Sequence, residues 1–213
     1  MNNDPFIDQL VTHLKPVAPP RRWTTLLLRL SFLNILSAAG VLVLHGIRPE
    51  FGLLWGRATF LIECTALLLC IGLSFASAQA SAMPGQLQGA KSKARLFSAL
   101  ILLFSMSLAV HGGWNVSEHG LNAFVGGMTC SIMIAFSSVL PLLWGWRELR
   151  RGAPTEPRLA GFFLSGAVVT AAVFVQHLIC PVDNAPHLLV WHTLPLILIM
   201  AIVYRVAPKL FRW

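Results

Sequence analysis

Six stretches of this chain stay apolar for close to the length that crosses a bilayer, and that leaves it few folds. They are residues 23–44, 58–78, 96–110, 130–146, 159–177 and 188–206. A spanning helix needs about 20 residues, so the third run, which is short, is expected to extend at one end. Hydrocarbon offers no partner to an unpaired N–H or C=O, and an open strand would leave whole rows of them bare. The fold class that follows is all-α: a polytopic membrane protein, a bundle of six transmembrane helices joined by short loops. Charged residues make up 11% of the 213 residues, against about 25% in a soluble domain, and the spans leave no room for a separate soluble unit. The expected organisation is a cytoplasmic N-terminal segment (1–22), a six-helix membrane domain (23–206) and a cytoplasmic tail (207–213).

The net charge of +8 raises the question of nucleic acid, but the basic residues cluster between the apolar runs, where they set orientation instead. Lys15, Arg21 and Arg22 precede the first run. Lys91, Lys93 and Arg95 fill the second connection, Arg147, Arg150, Arg151 and Arg158 the fourth, and Arg205, Lys209 and Arg212 the tail. Thirteen of the sixteen thus fall on one side. The first connection places Arg48 and Arg57 on the other, and Arg29 lies within the first run. The asymmetry predicts both termini in the cytoplasm, with the third and fifth connections facing out.

Residues 1–22 do not read as a signal peptide: Arg21 and Arg22 sit too deep and the following apolar run is too long. Asp4-Pro5 can start a helix, and Phe6, Ile7, Leu10, Val11 and Leu14 then fall on one face before Lys15-Pro16 ends it. Such a stripe can lie on the membrane, fold back on the bundle, or dock into a partner's groove. Within the spans, Arg29 is near enough to the cytoplasmic surface to snorkel. Glu63 lies one to two turns below the outer surface, where a carboxylate needs a partner. It either joins the polar groups at the outer face or reaches water or Arg57.

Those polar groups concentrate in residues 177–192, HLICPVDNAPHLLVWH, a short hairpin holding His177, Cys180, Asp183, His187 and His192, with Pro181 and Pro186 to break the helices and fix the turn. Cys130 opens the fourth run at the same face, so Cys130 and Cys180 meet the conditions for a disulfide or a redox-responsive thiol pair in an oxidising compartment. With His111, Glu118 and His119 also at this face, the set offers ligands for zinc or copper, the candidates being Cys130, Cys180, His177 and His187. Haem on His111 and a second histidine is a further alternative. The plain alternative is interfacial histidine and tryptophan in a polar loop. Cys64 and Cys70, about 240° apart around one helix, cannot pair and are expected to pack as apolar side chains.

The chain resembles the six-helix inner-membrane anti-sigma factors of the negative-regulator-of-sigma-F (NrsF-like) family. The features that carry the likeness are Leu10-Val-Thr-His-Leu14-Lys-Pro-Val17, Gly46-Ile-Arg-Pro49, Cys130 followed by Pro141, and Arg151-Gly-Ala-Pro154 with Pro157-Arg158. The most specific is Cys180-Pro-Val-Asp183 with His187, Trp191 and His192. The resemblance implies a bacterial inner-membrane location and sequestration of an extracytoplasmic-function sigma factor at the cytoplasmic face, with Phe6, Leu10 and Leu14 as the contact. It also implies sensing of oxidants or heavy metals by Cys130 and Cys180, supported by His177, Asp183, His187, His192 and Glu63. No direct nucleic-acid contact, no catalytic residue and no cofactor beyond transient heavy-metal binding are expected.

Two other classes compete. A membrane thiol oxidoreductase would carry a low-pKa CxxC, and the sequence has none; Walker, GxGxxG and HExxH patterns are absent too. A metal transporter would place ligands through the middle of the bilayer, where these runs are apolar apart from Ser, Thr and Asn34. The orientation is checked with alkaline phosphatase fusions: those after Asn115 and Asn184 should be active and those after Gly85 and Gly152 inactive. Activity at Gly152 would reverse the topology.

Overall fold

Each of the apolar runs is helical in the computed structural model, which describes residues 23–81, 89–111 and 120–211. Helix α1 is Trp23–His45 and the four-residue α2 is Phe51–Leu54; α3 is Ala58–Ser81, α4 Ala90–His111, α5 Gly120–Arg151 and α6 Pro157–Ile179. The last span, α7, runs Ala185–Leu210, with a π turn at Leu189–Thr193 inside it. Five of these are long and apolar enough to cross a membrane, and α1 contributes a shorter apolar stretch, Leu28–Val43. The fold is an all-helical membrane bundle.

The helices overrun the apolar runs at their basic ends. Helix α4 starts at Ala90 rather than near residue 96, taking Lys91, Lys93 and Arg95 into its first turns, and α5 continues to Arg151 through Pro141. A helix at the membrane surface can go on past hydrocarbon because water satisfies its open end. Helix α7 likewise passes the expected end at 206 and reaches Leu210, whose carbonyl accepts from Trp146 Nε1 at 2.9 Å. Helix α2 lies in the connection between α1 and α3 and was not anticipated. Its Leu54 buries against Phe60 and Cys64 of α3.

Helix α6 is the post of the bundle. Ala160, Phe163, Leu164, Ala167, Val168, Val169 and Val173 are all buried on it, and it packs against α3, α7 and α5, with a smaller contact to α1. Small residues let those neighbours come close, as helices without a hydrophobic driving force in lipid require. A side chain at Gly161 would strike Ala207 and Val203, and one at Gly166 would strike Ser74. By contrast, Leu28, Val43, Val110 and Phe136 stand to the outside, a surface suited to acyl chains rather than to water. Arg29 is also exposed on α1. Cys64 and Cys70 are buried and form no disulfide; both pack among apolar neighbours, and the Cys70 thiol donates to Phe97 O at 3.9 Å.

A buried polar contact ties α3, α4 and α6 together. Glu63 on α3 accepts a hydrogen bond from Ser107 Oγ of α4 at 2.9 Å, and its other oxygen lies 3.1 Å from His177 Nε2 on α6. The imidazole contact is a close pairing without the alignment of a hydrogen bond. Phe60 stacks on the His177 ring and Phe104 meets it edge-on. Removing one partner of such a pair strands the other in a low-dielectric site. Glu63→Ala should therefore lower stability in micelles by about 3 kcal/mol, measured by denaturant titration. Glu63→Ala with His177→Leu should cost less than the two singles added; strict additivity would mean that the residues do not support each other.

Candidate functional site

Helix α6 must stop where Pro181 follows Cys180, because proline has no N–H to give and disfavours helical geometry in the residue before it. Cys180 is accordingly extended (φ −67°, ψ 121°), its own N–H closing the helix on Gln176 O. The chain turns in four residues and starts α7 at Asn184, whose side chain accepts from His187 N at 2.8 Å and caps the new helix. This reversal puts Cys180 and His187 face to face, with His187 Nε2 3.3 Å from Cys180 Sγ.

Cys130 reaches the same point from α5. Its sulfur is 3.9 Å from Cys180 Sγ and 3.7 Å from His187 Nε2. The approach of α5 to α7 depends on Gly127, where an added Cβ would lie 2.2 Å from the Trp191 ring. Ser131 Oγ donates to Trp191 O at 2.9 Å just beyond. His192 completes the group through the π turn. In an α-helix, residues five apart are about 140° apart around the axis, so His187 and His192 would point away from each other. Bonds from i to i+5 bring them to one side, and the two rings are 5.5 Å apart. One ligand atom from each of Cys130, Cys180, His187 and His192 lies within 4.8 Å of all the others. Cys130 is half-buried, the other three buried.

A buried cation, Arg48, lies close to this group. Arg48, with its side chain 2% exposed, lies 3.6 Å from Asp183 and 3.6 Å from Glu50. Arg57 reaches the same Asp183 oxygen at 3.3 Å. The contact with the Cys130 sulfur, and then burial, push the Cys180 thiol well above its ordinary range, while the charge of Arg48 opposes them.

The residues named from sequence therefore separate into two sets. Cys130, Cys180, His187 and His192 come together. His177 does not join the sulfurs: it sits a turn inside α6, paired with Glu63, so His192 takes its place in the metal-competent group. Asp183 is turned to Arg48 and Arg57 rather than to the thiols, so it orients the loop and not a sulfur. Glu63 is held by Ser107 and His177, not by Arg57. Phe6, Leu10 and Leu14, with Glu118 and His119, lie outside the described residues, as does the side chain of His111. Sequence reasoning gave Arg48 no role at this site and passed over Gly127 and the π turn. The Gly126-Gly127 pair ahead of Cys130 was a signal for a close approach; the π turn left none.

Known proteins were compared with the chain. A family model described as negative regulator of sigma F matches residues 10–213. A protein of Azospira oryzae described as probable anti-sigma-F factor NrsF is 32% identical over 123 residues. That match covers 51% of this chain and 56% of the relative, so it spans a little over half of the relative's length. No solved structure matches. Since the family model runs through every described helix, including both cysteines of the outer cluster, the chain belongs to the negative regulator of sigma F family.

Proposed function

We propose that this protein is an anti-sigma factor of the bacterial inner membrane, with both termini cytoplasmic. It holds an extracytoplasmic-function sigma factor at its inner face and releases it when Cys130 and Cys180 meet an oxidant or a heavy metal outside. The observation that carries the reading is the 3.9 Å separation of the two sulfurs on consecutive helices whose other ends meet at the basic turn 147–158.

A peroxide suffices as oxidant. The two thiols give up two electrons and two protons, a disulfide forms, and the peroxide is reduced to alcohol and water. The sulfurs must then close from 3.9 Å to about 2.05 Å, so the outer ends of α5 and α6 move relative to each other. Cores are close-packed and transmit such strain. Helix α5, interrupted at Pro141 and packed on the buried α6, carries the change to its own Arg147, Arg150 and Arg151 and to Arg158 beside them. A coupling of about 1–3 kcal/mol changes partner affinity about 5–150-fold, enough to switch a regulator. The family membership supports a sigma-factor partner, and the apolar stripe of Phe6, Leu10 and Leu14 supplies a contact of the helix-in-groove kind. The protein acts here by binding, not by catalysis.

Two outcomes test this. Leu10→Glu with Leu14→Glu should free the sigma factor and raise its target transcripts without stress. Unchanged repression by a stably inserted double variant would move the contact to the loops around 79–95 and 147–158. Cys130→Ser and Cys180→Ser should each alter induction by oxidant or heavy metal, and the double variant should resemble either single one. Normal induction in the double variant would remove the cysteines from the mechanism.

A further inference from the structure

We infer that Cys130, Cys180, His187 and His192 form a closed four-ligand site for a zinc-type divalent ion, resident in the resting protein. The inference assigns a ligand to the outer cluster. It rests on the proposed sensing role for its regulatory consequence, but not for the binding itself.

Geometry is the first ground. In a tetrahedral zinc centre, Zn–S of about 2.3 Å and Zn–N of about 2.0–2.1 Å put neighbouring ligand atoms about 3.4–3.8 Å apart. Three of the six separations across this cluster are 3.9 Å between the sulfurs and 3.7 and 3.3 Å from them to His187 Nε2, and the three that involve His192 are within 4.8 Å. Cys130, Cys180 and His187 thus stand close to the spacing of one face of a coordination tetrahedron, with His192 near enough to supply the fourth corner. A disulfide would need the sulfurs almost 2 Å closer.

The second ground is His192. It is 0% exposed, and its polar neighbour among the described residues is the Cys130 sulfur, toward which neither ring nitrogen has the geometry of a full hydrogen bond. A buried imidazole answered so weakly is costly. Its ring lies beside that of His187, and a nitrogen lies within 4.8 Å of both sulfurs. A cation at the centre of the group would give that nitrogen its partner.

Charge is the third. Two thiolates and one divalent ion sum to zero, so the occupied centre brings no net charge into a buried site at the membrane interface. The two thiol protons leave to solvent as the ion binds. Two thiolates with two imidazoles favour zinc among divalent ions of this size, and four protein ligands leave no open position for catalysis. The ligands are already held in place: His187 by the Asn184 cap, His192 by the π turn, Cys180 by the proline that follows it, and Cys130 by the seating of Gly127 on Trp191. The spacing Cys180-x6-His187-x4-His192 matches no standard finger, and the fourth ligand comes from a helix fifty residues earlier in the chain.

The consequence is a state of the switch. A bound ion keeps the sulfurs at a tetrahedral edge and so excludes the disulfide, and oxidation excludes the ion. The resting protein is then the metal-held one.

The test uses the full chain, reduced and purified in detergent. Metal analysis after loading with Zn2+ should give one equivalent per chain. Loading with Co2+ should give the strong visible bands of a tetrahedral ion together with thiolate-to-cobalt charge transfer. Cys130→Ser and His192→Asn should abolish stoichiometric binding or shift the cobalt spectrum, whereas His177→Gln should leave both unchanged. A wild type that binds neither ion, or binds cobalt without charge-transfer bands, would overturn the site, and this reading depends on no variant folding. An unchanged cobalt spectrum in His192→Asn would also overturn it. The two readings fail separately. Stoichiometric zinc with normal induction in the double cysteine variant keeps the site and removes the sensing role. Cysteine-dependent induction without metal binding does the reverse.

Discussion

Everything at the outer face depends on where α6 is made to stop. This helix is enclosed by its neighbours along most of its length, so its position is fixed by packing and not by solvent. Pro181 then sets the last residue to within one position. Because Cys180 precedes a proline, its ψ is extended, so the chain after it turns back and brings His187 to its sulfur. One residue inserted into α6 would carry Cys180 about 100° around the axis and away from both Cys130 and His187. A turn of four residues capped by Asn184 is short enough to convert that stop into a fixed geometry.

Two buried polar contacts flank the cluster and divide its electrostatics. On the membrane side, Glu63, Ser107 and His177 tie three helices at a depth where water cannot replace a lost partner. On the outer side, Arg48 is buried by the first connection and anchored on Asp183 and Glu50. Between them lie the sulfurs and imidazoles, and among the described residues no carboxylate joins their group. This separation explains why Asp183 and His177, so close in sequence to the cysteine, are not part of its chemistry. Each answers a different burial problem.

The spans were legible because an apolar run of the right length has one solution in lipid, and their ends were not, because helices continue into water at no cost. That Cys130 and Cys180 share a face followed from counting crossings. That they would lie in contact required α5 and α6 to pack side by side, which a short connecting turn favours. His177 was misread because it is three residues from Cys180, a spacing that suggests one face. The bundle instead turns His177 inward, toward α3. His192 carried the opposite error in waiting, since a regular helix would have pointed it away from His187. Only the π turn brings it back, and no local composition announces a π turn. The roles of Arg48 and Gly127 depend on contacts across more than sixty residues of chain, Gly127 with Trp191 and Arg48 with Asp183, which no local pattern contains.

In the proposed mechanism the question is how a displacement smaller than 2 Å at the outer ends reaches the inner face. Helix α5 can pivot: Pro141 interrupts its hydrogen-bond ladder midway, which is where long helices bend. Helix α6 cannot bend without disturbing α3 and α7, which pack directly onto its glycines. A closing motion at Cys130 is therefore expected in α5, not in α6. Below Pro141, the face of α5 at Gly145 is pressed against Leu164, and Glu148 is buried there, in contact with Arg151 at 2.7 Å. An altered tilt of α5 changes that contact directly, next to the basic residues of the 147–158 turn. The same arrangement gives the outer cluster its two opposed settings. An ion at its centre braces α5 against α6 and α7 at three points, and a disulfide pulls α5 onto α6 alone. The signal is the difference between those two braces, and α5 is the element free to report it.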